Sequence, residues 1–258
     1  MMRDYLEALH EDAAKDPEQR ARELSRRELP KRFYKNAEHV ETEDGFAIHL
    51  DGRPVKTPAK STLLLPTEVL GAAVAAEWEA QDKEINPARM PLTRIANSAQ
   101  DVVAKRFGEV ADDITGFAGN DALCYRADDP ESLCDTQRRV WDPVVDWAGA
   151  QLGGRFVLIE GIMHTPQDQA LLTAFRSRIG EDNPLRLAGL HTVTTLTGSA
   201  LLALALREGF LDADSVWTAA HVEEDFNIAR WGEDAEAKQI RAYKRSEFDA
   251  AALVLANA

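Results

Sequence analysis

The stretch that decides the fold runs from Asp44 to Thr93 and reads DGFAIHLDGRPVKTPAKSTLLLPTEVLGAAVAAEWEAQDKEINPARMPLT. It begins with two Asp-Gly pairs, at 44–45 and 51–52, and Asp-Gly favours the positive φ angles of tight hairpin turns. Between them, apolar side chains alternate with smaller or polar ones, which is the period of a half-buried strand. We therefore predict a small antiparallel sheet with strands near 33–41, 46–50, 54–57 and 62–65.

The period of the sequence changes at Thr67, which is a favourable N-cap and is followed by Glu68 in the first turn. Leu70, Val74 and Trp78 then recur at helical spacing, and this predicts a helix from Thr67 to about residue 81 that covers one face of the sheet. Trp78 has the largest apolar side chain of this helix. We expect Trp78 to be a structural residue that anchors the core where helix meets sheet.

Nearly all of the chain after Pro91 has helical periodicity. The predicted helices are 91–107, 109–118, 131–151, 166–179, 186–207, 212–229 and 234–256, and one short strand is predicted at 155–160. The fold class is therefore α+β, with a sheet-bearing N-terminal domain and an all-helical C-terminal domain. The predicted domains are a charged helix or arm at 1–30, an α+β domain at 31–105 and a helical domain at 106–258.

Composition and charge exclude several function classes. The chain of 258 residues has a formal net charge of −14. Nucleic-acid binding needs a basic stripe, and none is visible. No apolar run is long enough for a membrane span, so we expect no membrane insertion. The start of the sequence resembles neither a secretory signal nor a transit peptide, and this favours a bacterial-type cytoplasm.

Few side chains have a pattern typical of catalysis or metal binding. Cys124 and Cys134 have neither zinc nor redox spacing, and we expect both to be free thiols. Nucleotide and dinucleotide fingerprints are absent as well, so we expect no cofactor. His221, Glu224 and Asp225 would share one helix face, and this leaves open a small-molecule hydrolase as an alternative. A solvated helix face is the plainer interpretation of these three residues.

The most acidic part of the chain runs from 208 to 236 and contains nine acidic residues and one arginine. An aromatic residue beside dense charge is typical of recognition patches. We therefore predict a partner-binding block made of Glu223, Glu224, Trp231, Glu233 and Glu236. The alternative is that two charged helices meet at a Trp-Gly corner that packs inward.

The chain also resembles a known family through motifs that occur in a fixed order. They are Arg32-Phe33-Tyr34-Lys35, Leu50-Asp51-Gly52-Arg53, Lys56-Thr57-Pro58, Leu65-Pro66-Thr67, Glu77-Trp78, Gln81, Met90-Pro91-Leu92-Thr93, Asp121-x-Leu123-Cys124-Tyr125-Arg126, Trp141, Pro143, Trp147, the run 197–205, and Glu223-Glu224, Phe226 and Trp231-Gly232. Together they resemble the ATP synthase assembly chaperones that bind the free α subunit. Two departures are Asn227, where the family pattern has Gln, and the first 30 residues, which have no family motif.

The resemblance implies a specific function and excludes others. It implies an assembly chaperone for the soluble catalytic sector of ATP synthase, which holds the free α subunit until the β subunit pairs with it. It also implies that the chain has no catalytic activity and needs no cofactor. Relatives in eukaryotes work in the mitochondrial matrix, and nothing in this sequence requires more than a monomer. A generic peptide-binding adaptor is a further alternative.

Overall fold

A computed structural model describes residues 29–161 and 163–258. The predicted charged arm at 1–30 lies almost entirely outside the described residues. The chain forms two compact units. The first contains the described residues up to Arg106 together with Asn183–Gly189 and Leu253–Ala258, and the second contains the described residues of 107–182 and Leu190–Ala252. Each unit therefore has its own core, and the domain limits predicted from the sequence remain a proposal.

The first unit contains the predicted antiparallel sheet. Its strands are β1 (Ala37–Thr42), β2 (Gly45–Leu50), β3 (Arg53–Pro54) and β4 (Leu64–Leu65). The order is β1-β2-β3, and β4 also pairs with β2. The register places Thr42 opposite Gly45, as expected of a hairpin that turns at Asp44-Gly45. The α+β prediction is therefore confirmed.

The first strand is shorter than predicted because side chains bind its N-terminal end. The backbone N–H groups of Lys35 and Asn36 donate to the carboxylate of Asp51, in the second hairpin turn. These backbone bonds lower the pKa of Asp51 below its usual value. Residues 35 and 36 thus bond to a side chain, and β1 begins only at Ala37.

Helix α1 (Glu68–Glu79) covers the sheet, and its buried residues are Leu70, Gly71, Val74 and Ala75. A Cβ atom on Gly71 would lie 2.9 Å from the Cβ of Phe46, so glycine permits the close approach of helix and strand.

That Trp78 is a structural residue which anchors the core where helix meets sheet stays a prediction. Trp78 is half-buried, because it lies near the C-terminal end of α1, after the last buried residue of that helix, Ala75. Its ring meets the ring of Tyr34 edge-on at 5.8 Å. Tyr34, which is only 5% exposed, also donates its hydroxyl to the carbonyl of Trp78 at 2.6 Å. Tyr34 therefore occupies the buried position, and Trp78 packs against it.

The remaining elements are mainly helical, as predicted. They are α2 (Pro91–Ser98), α3 (Phe107–Gly119), α4 (Glu131–Leu152), α5 (Gln169–Ile179), α6 (Pro184–Thr197), α7 (Ala200–Arg207), α8 (Ala213–Ala220), α9 (Val222–Trp231) and α10 (Ala235–Asn257). A π-helical turn, Ala99–Val103, follows α2. A two-stranded parallel pair joins β5 (Tyr125–Arg126) to β6 (Ile159–Glu160), so the strand predicted at 155–160 is confined to its last two residues.

Two of the predicted helices are each divided into two. The helix predicted at 186–207 ends at Thr197, because Gly198 has φ +68° and Ser199 caps α7 by accepting from the N–H of Leu202. The helix predicted at 212–229 is interrupted at His221, whose backbone leaves the helical region. At both breaks the apolar side chains continue at helical spacing, so this spacing alone does not indicate that the helix ends there.

The long helix α4 contains Pro143 without interruption, although a proline inside a helix removes one backbone hydrogen bond. Trp141, near the same point, donates its indole N–H to the carbonyl of Ala219 at 2.8 Å. Residues 200–205 of α7 are all buried. Among the helices of the described ranges, none has the length and apolar character that a membrane span requires.

Candidate partner-binding site

The family motifs of the first unit meet at the start of α2. The carboxylate of Glu77 accepts from the N–H of Leu92 at 2.7 Å and from both the N–H and the hydroxyl of Thr93 at 2.8 and 2.7 Å. These donors are unpaired groups of the first helical turn, and an acidic side chain stabilises such an end. Burial raises the pKa of Glu77 above its usual value, although the three hydrogen bonds oppose this. Glu77 therefore caps α2.

Other motif residues of the first unit also bind the main chain. Gln81 accepts from the N–H of Asn86 at 2.8 Å, and its amide donates to the carbonyl of Glu77 at 2.9 Å. The buried Asp101 accepts from the hydroxyl of Thr57 and the N–H of Ala59, both at 2.8 Å. These contacts join turns to helices, and they assign a structural role to Gln81 and Thr57.

In the second unit, Asp121 links two family motifs that are distant in sequence. This residue is fully buried, and its carboxylate accepts from the N–H groups of Leu123 at 3.0 Å and Leu201 at 2.9 Å. Burial raises its pKa to about 6, while hydrogen bonds from Leu201, the Ser199 side chain and Leu123 act in the opposite direction. Asp121 thus caps the start of α7 and a short turn at once.

The predicted partner-binding block lies on α9, the corner after it and the start of α10. Trp231 ends α9, and its side chain is 76% exposed, so the inward-packing alternative does not hold. Gly232 follows with φ +86°, and its N–H donates to the carbonyl of Ile228 at 2.9 Å. Asp234 then caps α10 by accepting from the N–H groups of residues 236 and 237. The chain thus turns sharply directly after an exposed tryptophan.

The acidic residues of the block have partners of several kinds. Glu223 accepts from the amide of Gln137 at 2.7 Å. Glu224 and Asp225 both face Arg241 of α10, at 3.6 and 2.6 Å. These carboxylates remain about half exposed, and such pairs are worth little in stability.

The acids after the corner have partners as well. Glu233 pairs with Lys238 at 3.0 Å, and Glu236 also has an interaction in the structure. The block therefore consists of carboxylates that have partners, before and after the exposed Trp231 in the chain. The pairing of Arg241 with Asp225 could not be predicted from the sequence, because it depends on the turn at Gly232.

The three residues of the hydrolase alternative are only loosely associated. His221 is 7% exposed, and its ring packs at a tilt of 33° against that of Trp217, with the ring centroids 4.0 Å apart. Its Nδ1 lies within hydrogen-bond distance of the Trp217 carbonyl, at 2.7 Å. Its Nε2 is 3.8 Å from Glu224, which is beyond hydrogen-bond distance. Within the described ranges, no group of three or more His, Cys, Asp and Glu side chains could hold a metal ion. His221 is thus a packed core residue next to the acidic block.

The comparisons with known proteins agree with the motif order. Residues 31–149 match the family model described as ATP12 chaperone protein. The chain is 45% identical to the Atu1473 protein from Agrobacterium tumefaciens, whose crystal structure superposes with a TM-score of 0.85 and covers 99% of this chain and 97% of that one. Atp12 from Paracoccus denitrificans is 38% identical, with a TM-score of 0.80 over 88% of this chain and 97% of that one.

A eukaryotic relative is more distant. The mitochondrial protein atp12 of Schizosaccharomyces pombe is 22% identical over 222 residues, which cover 81% of this chain and 76% of that protein. Together these matches confirm the resemblance that the ordered motifs indicated.

Proposed function

Because the chain belongs to the ATP12 chaperone family, we propose that it is an ATP synthase assembly chaperone that holds the free α subunit until the β subunit takes its place. An α subunit alone exposes an apolar interface meant for β, and such surfaces aggregate. A chaperone that covers this interface must bind well enough to prevent self-association and still lose to β. Competition between binding free energies is sufficient for this exchange, so the proposal needs neither a cofactor nor catalysis.

The observation that carries the choice of site is the exposure of Trp231 in the middle of the acidic block. A large aromatic ring that is 76% exposed contributes no core packing of its own, and tryptophan is typical of interface hot spots. The partly exposed Glu224 and Asp225 beside it attract basic partners and steer encounter. We propose that Glu223, Glu224, Trp231, Glu233 and Glu236 contact the client.

The test is co-purification of the full chain with isolated ATP synthase α subunit, using β and an unrelated aggregation-prone protein as controls. We expect a stable complex with α alone, which disperses when β is added. Equal binding to every client would favour the generic adaptor, and failure to bind α would contradict the proposal. Light scattering of the free chain and the complex tests the monomeric state that we also propose.

Two matched variants locate the site. Trp231→Ala removes an exposed ring from the acidic block, and Phe33→Ala removes an equally exposed one, at 75%, from the first unit. We expect Trp231→Ala to weaken α binding by at least about tenfold, the loss of about 1.4 kcal/mol. Unchanged melting of both variants would exclude unfolding as the cause. If only Phe33→Ala weakens binding, the client site lies elsewhere.

The high identity to two bacterial proteins supports a bacterial setting for this assembly step. We therefore propose that the chain acts in a bacterial cytoplasm, with the mitochondrial relative representing the same family in eukaryotes.

A further inference from the structure

The outer edge of β1 is an open strand edge of the first unit. β1 pairs with β2 on one side only, so it ends the sheet. An edge strand presents unpaired backbone groups that can accept another strand. The register between β1 and β2, together with one hydrogen bond of β2, determines which backbone groups of β1 face outward.

The backbone of His39 and Glu41 points away from the sheet. His39 lies opposite Ile48, and the Ile48 carbonyl accepts from the N–H of Val55 at 2.7 Å, on the other side of β2. In an antiparallel ladder, the backbones of two residues that lie opposite each other either hydrogen-bond to each other or both direct their N–H and C=O groups away from the partner strand. His39 therefore points outward, and so do Ala37 and Glu41, two positions before and after it.

Part of this edge is already covered. The N–H of Ala37 donates to the carboxylate of Glu79 at 2.9 Å, which agrees with its outward direction. Within residues 29–161 and 163–258, no hydrogen bond reaches the main chain of His39 or Glu41. The open edge is thus the segment 39–41, which offers two N–H groups and two carbonyls.

The exposed charged side chains of segment 38–44 are all acidic. Glu38, Glu41, Glu43 and Asp44 are all exposed, and in the described part of the chain none of them forms an ion pair. Opposite charges on neighbouring strands stabilise their pairing, and like charges directly opposite destabilise it. The edge therefore disfavours acidic strands and favours basic ones.

We infer that the edge of β1 binds an extended peptide segment rich in lysine or arginine, which adds to the sheet as a further strand through the backbone of His39 and Glu41. This mode of recognition takes affinity from main-chain hydrogen bonds and selectivity from side chains. A second copy of this chain is the wrong occupant, because β1 beside β1 would bring the acids of two copies together. The inference does not depend on the identity of the client.

The experiment uses the full chain, labelled with ¹⁵N, and two nine-residue probe peptides. One probe alternates lysine with threonine, and the matched probe alternates glutamate with threonine. We expect the lysine probe to bind at least about tenfold more tightly. At saturation, hydrogen exchange of the His39 and Glu41 amides should slow at least about fivefold. The amide of Val40, which faces β2, serves as the internal control and should not change.

Glu41→Pro removes the outward N–H and leaves the β1–β2 bonds in place, since proline is tolerated on strand edges. We expect this variant to bind the lysine probe at least about fivefold more weakly. If it does not fold, Glu38→Lys combined with Glu41→Lys provides the second test, because it should invert the preference toward the glutamate probe. Retained lysine preference in the charge-reversed protein would overturn the inference.

Three further results would overturn it. One is equal affinity for both probes. Another is exchange at His39 and Glu41 in the free chain as slow as at Val40, which would mean that another part of the chain occupies the edge. The third is protection of these amides from hydrogen exchange that rises with protein concentration alone, which would mean that a second copy of the chain occupies the edge. Trp231→Ala, in the other unit, should leave probe binding unchanged, so failure here is distinguishable from failure of the proposed chaperone function.

Discussion

The carboxylate of Asp121 accepts a hydrogen bond from the backbone N–H of Leu201, 80 positions further along the chain, at 2.9 Å. The other carboxylate oxygen accepts from the N–H of Leu123 at 3.0 Å. One buried side chain therefore satisfies donors of two separate segments in the second unit, and removing it leaves both segments with unpaired groups.

We predict that Asp121→Asn destabilises the chain by about 1–3 kcal/mol, because the amide keeps one acceptor and turns an N–H donor toward another donor. The difference should also depend on pH. Burial raises the pKa of Asp121 from 3.8 to about 6, so the folded chain binds more protons than the unfolded chain between these values. Stability from this group is therefore lost as the pH rises through about 4 to 6, and the advantage of the native chain over Asp121→Asn should shrink.

Urea denaturation at pH 4.5 and 7 measures both effects. The matched control is Asp128→Asn, which changes an exposed carboxylate of the same region and should leave stability nearly unchanged. A pH-independent difference between the native chain and Asp121→Asn would show that this carboxyl titrates normally.

Glu77 provides a second prediction, because its three hydrogen bonds cap α2. We predict that Glu77→Ala costs about 2 kcal/mol, since buried donors of Leu92 and Thr93 lose their acceptor. The control is Glu68→Ala on the same helix, where the side chain is 75% exposed and its contact with His39 is 3.8 Å long. Thermal unfolding compares the two variants, and equal midpoints would contradict the capping role.

The sequence predicted local structure well and non-local contacts poorly. The Asp44-Gly45 turn, the hairpin and α1 follow from neighbouring residues, and the structure has all three. Glu77 and Asp121 were recognised only as motif members, because their acceptor role depends on segments that folding brings together.

The helix breaks were missed for a related reason. Gly198 and His221 lie within segments of continuous apolar periodicity. The backbone angle of Gly198 accompanies the cap that Ser199 makes on the next helix, and that of His221 accompanies the packing of its ring on Trp217. For the candidate site, the residue types and the acidic character could be inferred from the sequence. The exposure of Trp231 and the pairing of Asp225 with Arg241 could not, because both depend on the direction that the chain takes after Gly232.

The two thiols should differ strongly in reactivity. Cys124 is fully buried, and burial together with the nearby Asp121 raises its pKa to about 12. Cys134 is only half-buried. Since the thiolate is the reactive form, we predict that iodoacetamide at pH 8 modifies Cys134 at least about tenfold faster than Cys124 in the folded chain. Peptide mass spectrometry measures both rates, and denatured chain, in which the rates should converge, is the control.

The final prediction concerns His221, the residue on which the hydrolase alternative depends. Burial is the main cause that lowers its pKa below 6.5, and the positive charge of Arg241 acts in the same direction. The carbonyl of Trp217 and the carboxylates of Glu224 and Asp225 act in the opposite direction and are outweighed. We therefore predict that the imidazole is neutral at pH 7 and that an NMR titration gives it a midpoint below 6.5.

The free energy of unfolding should depend on pH because the pKa of His221 is lowered in the folded chain. Below pH 6.5 the unfolded chain binds a proton that the folded chain resists, so the contribution of His221 is present above 6.5 and is lost as the pH falls toward the folded pKa. His221→Phe, which keeps an aromatic ring against Trp217, should reduce this loss of stability. Equimolar Zn²⁺ should leave both the His221 resonances and the melting midpoint unchanged, because Glu224 lies 3.8 Å from His221 Nε2 and the guanidinium of Arg241 already pairs with Glu224 and Asp225. A zinc-dependent rise in the midpoint that His221→Phe abolishes would instead support a metal site and revive the hydrolase hypothesis.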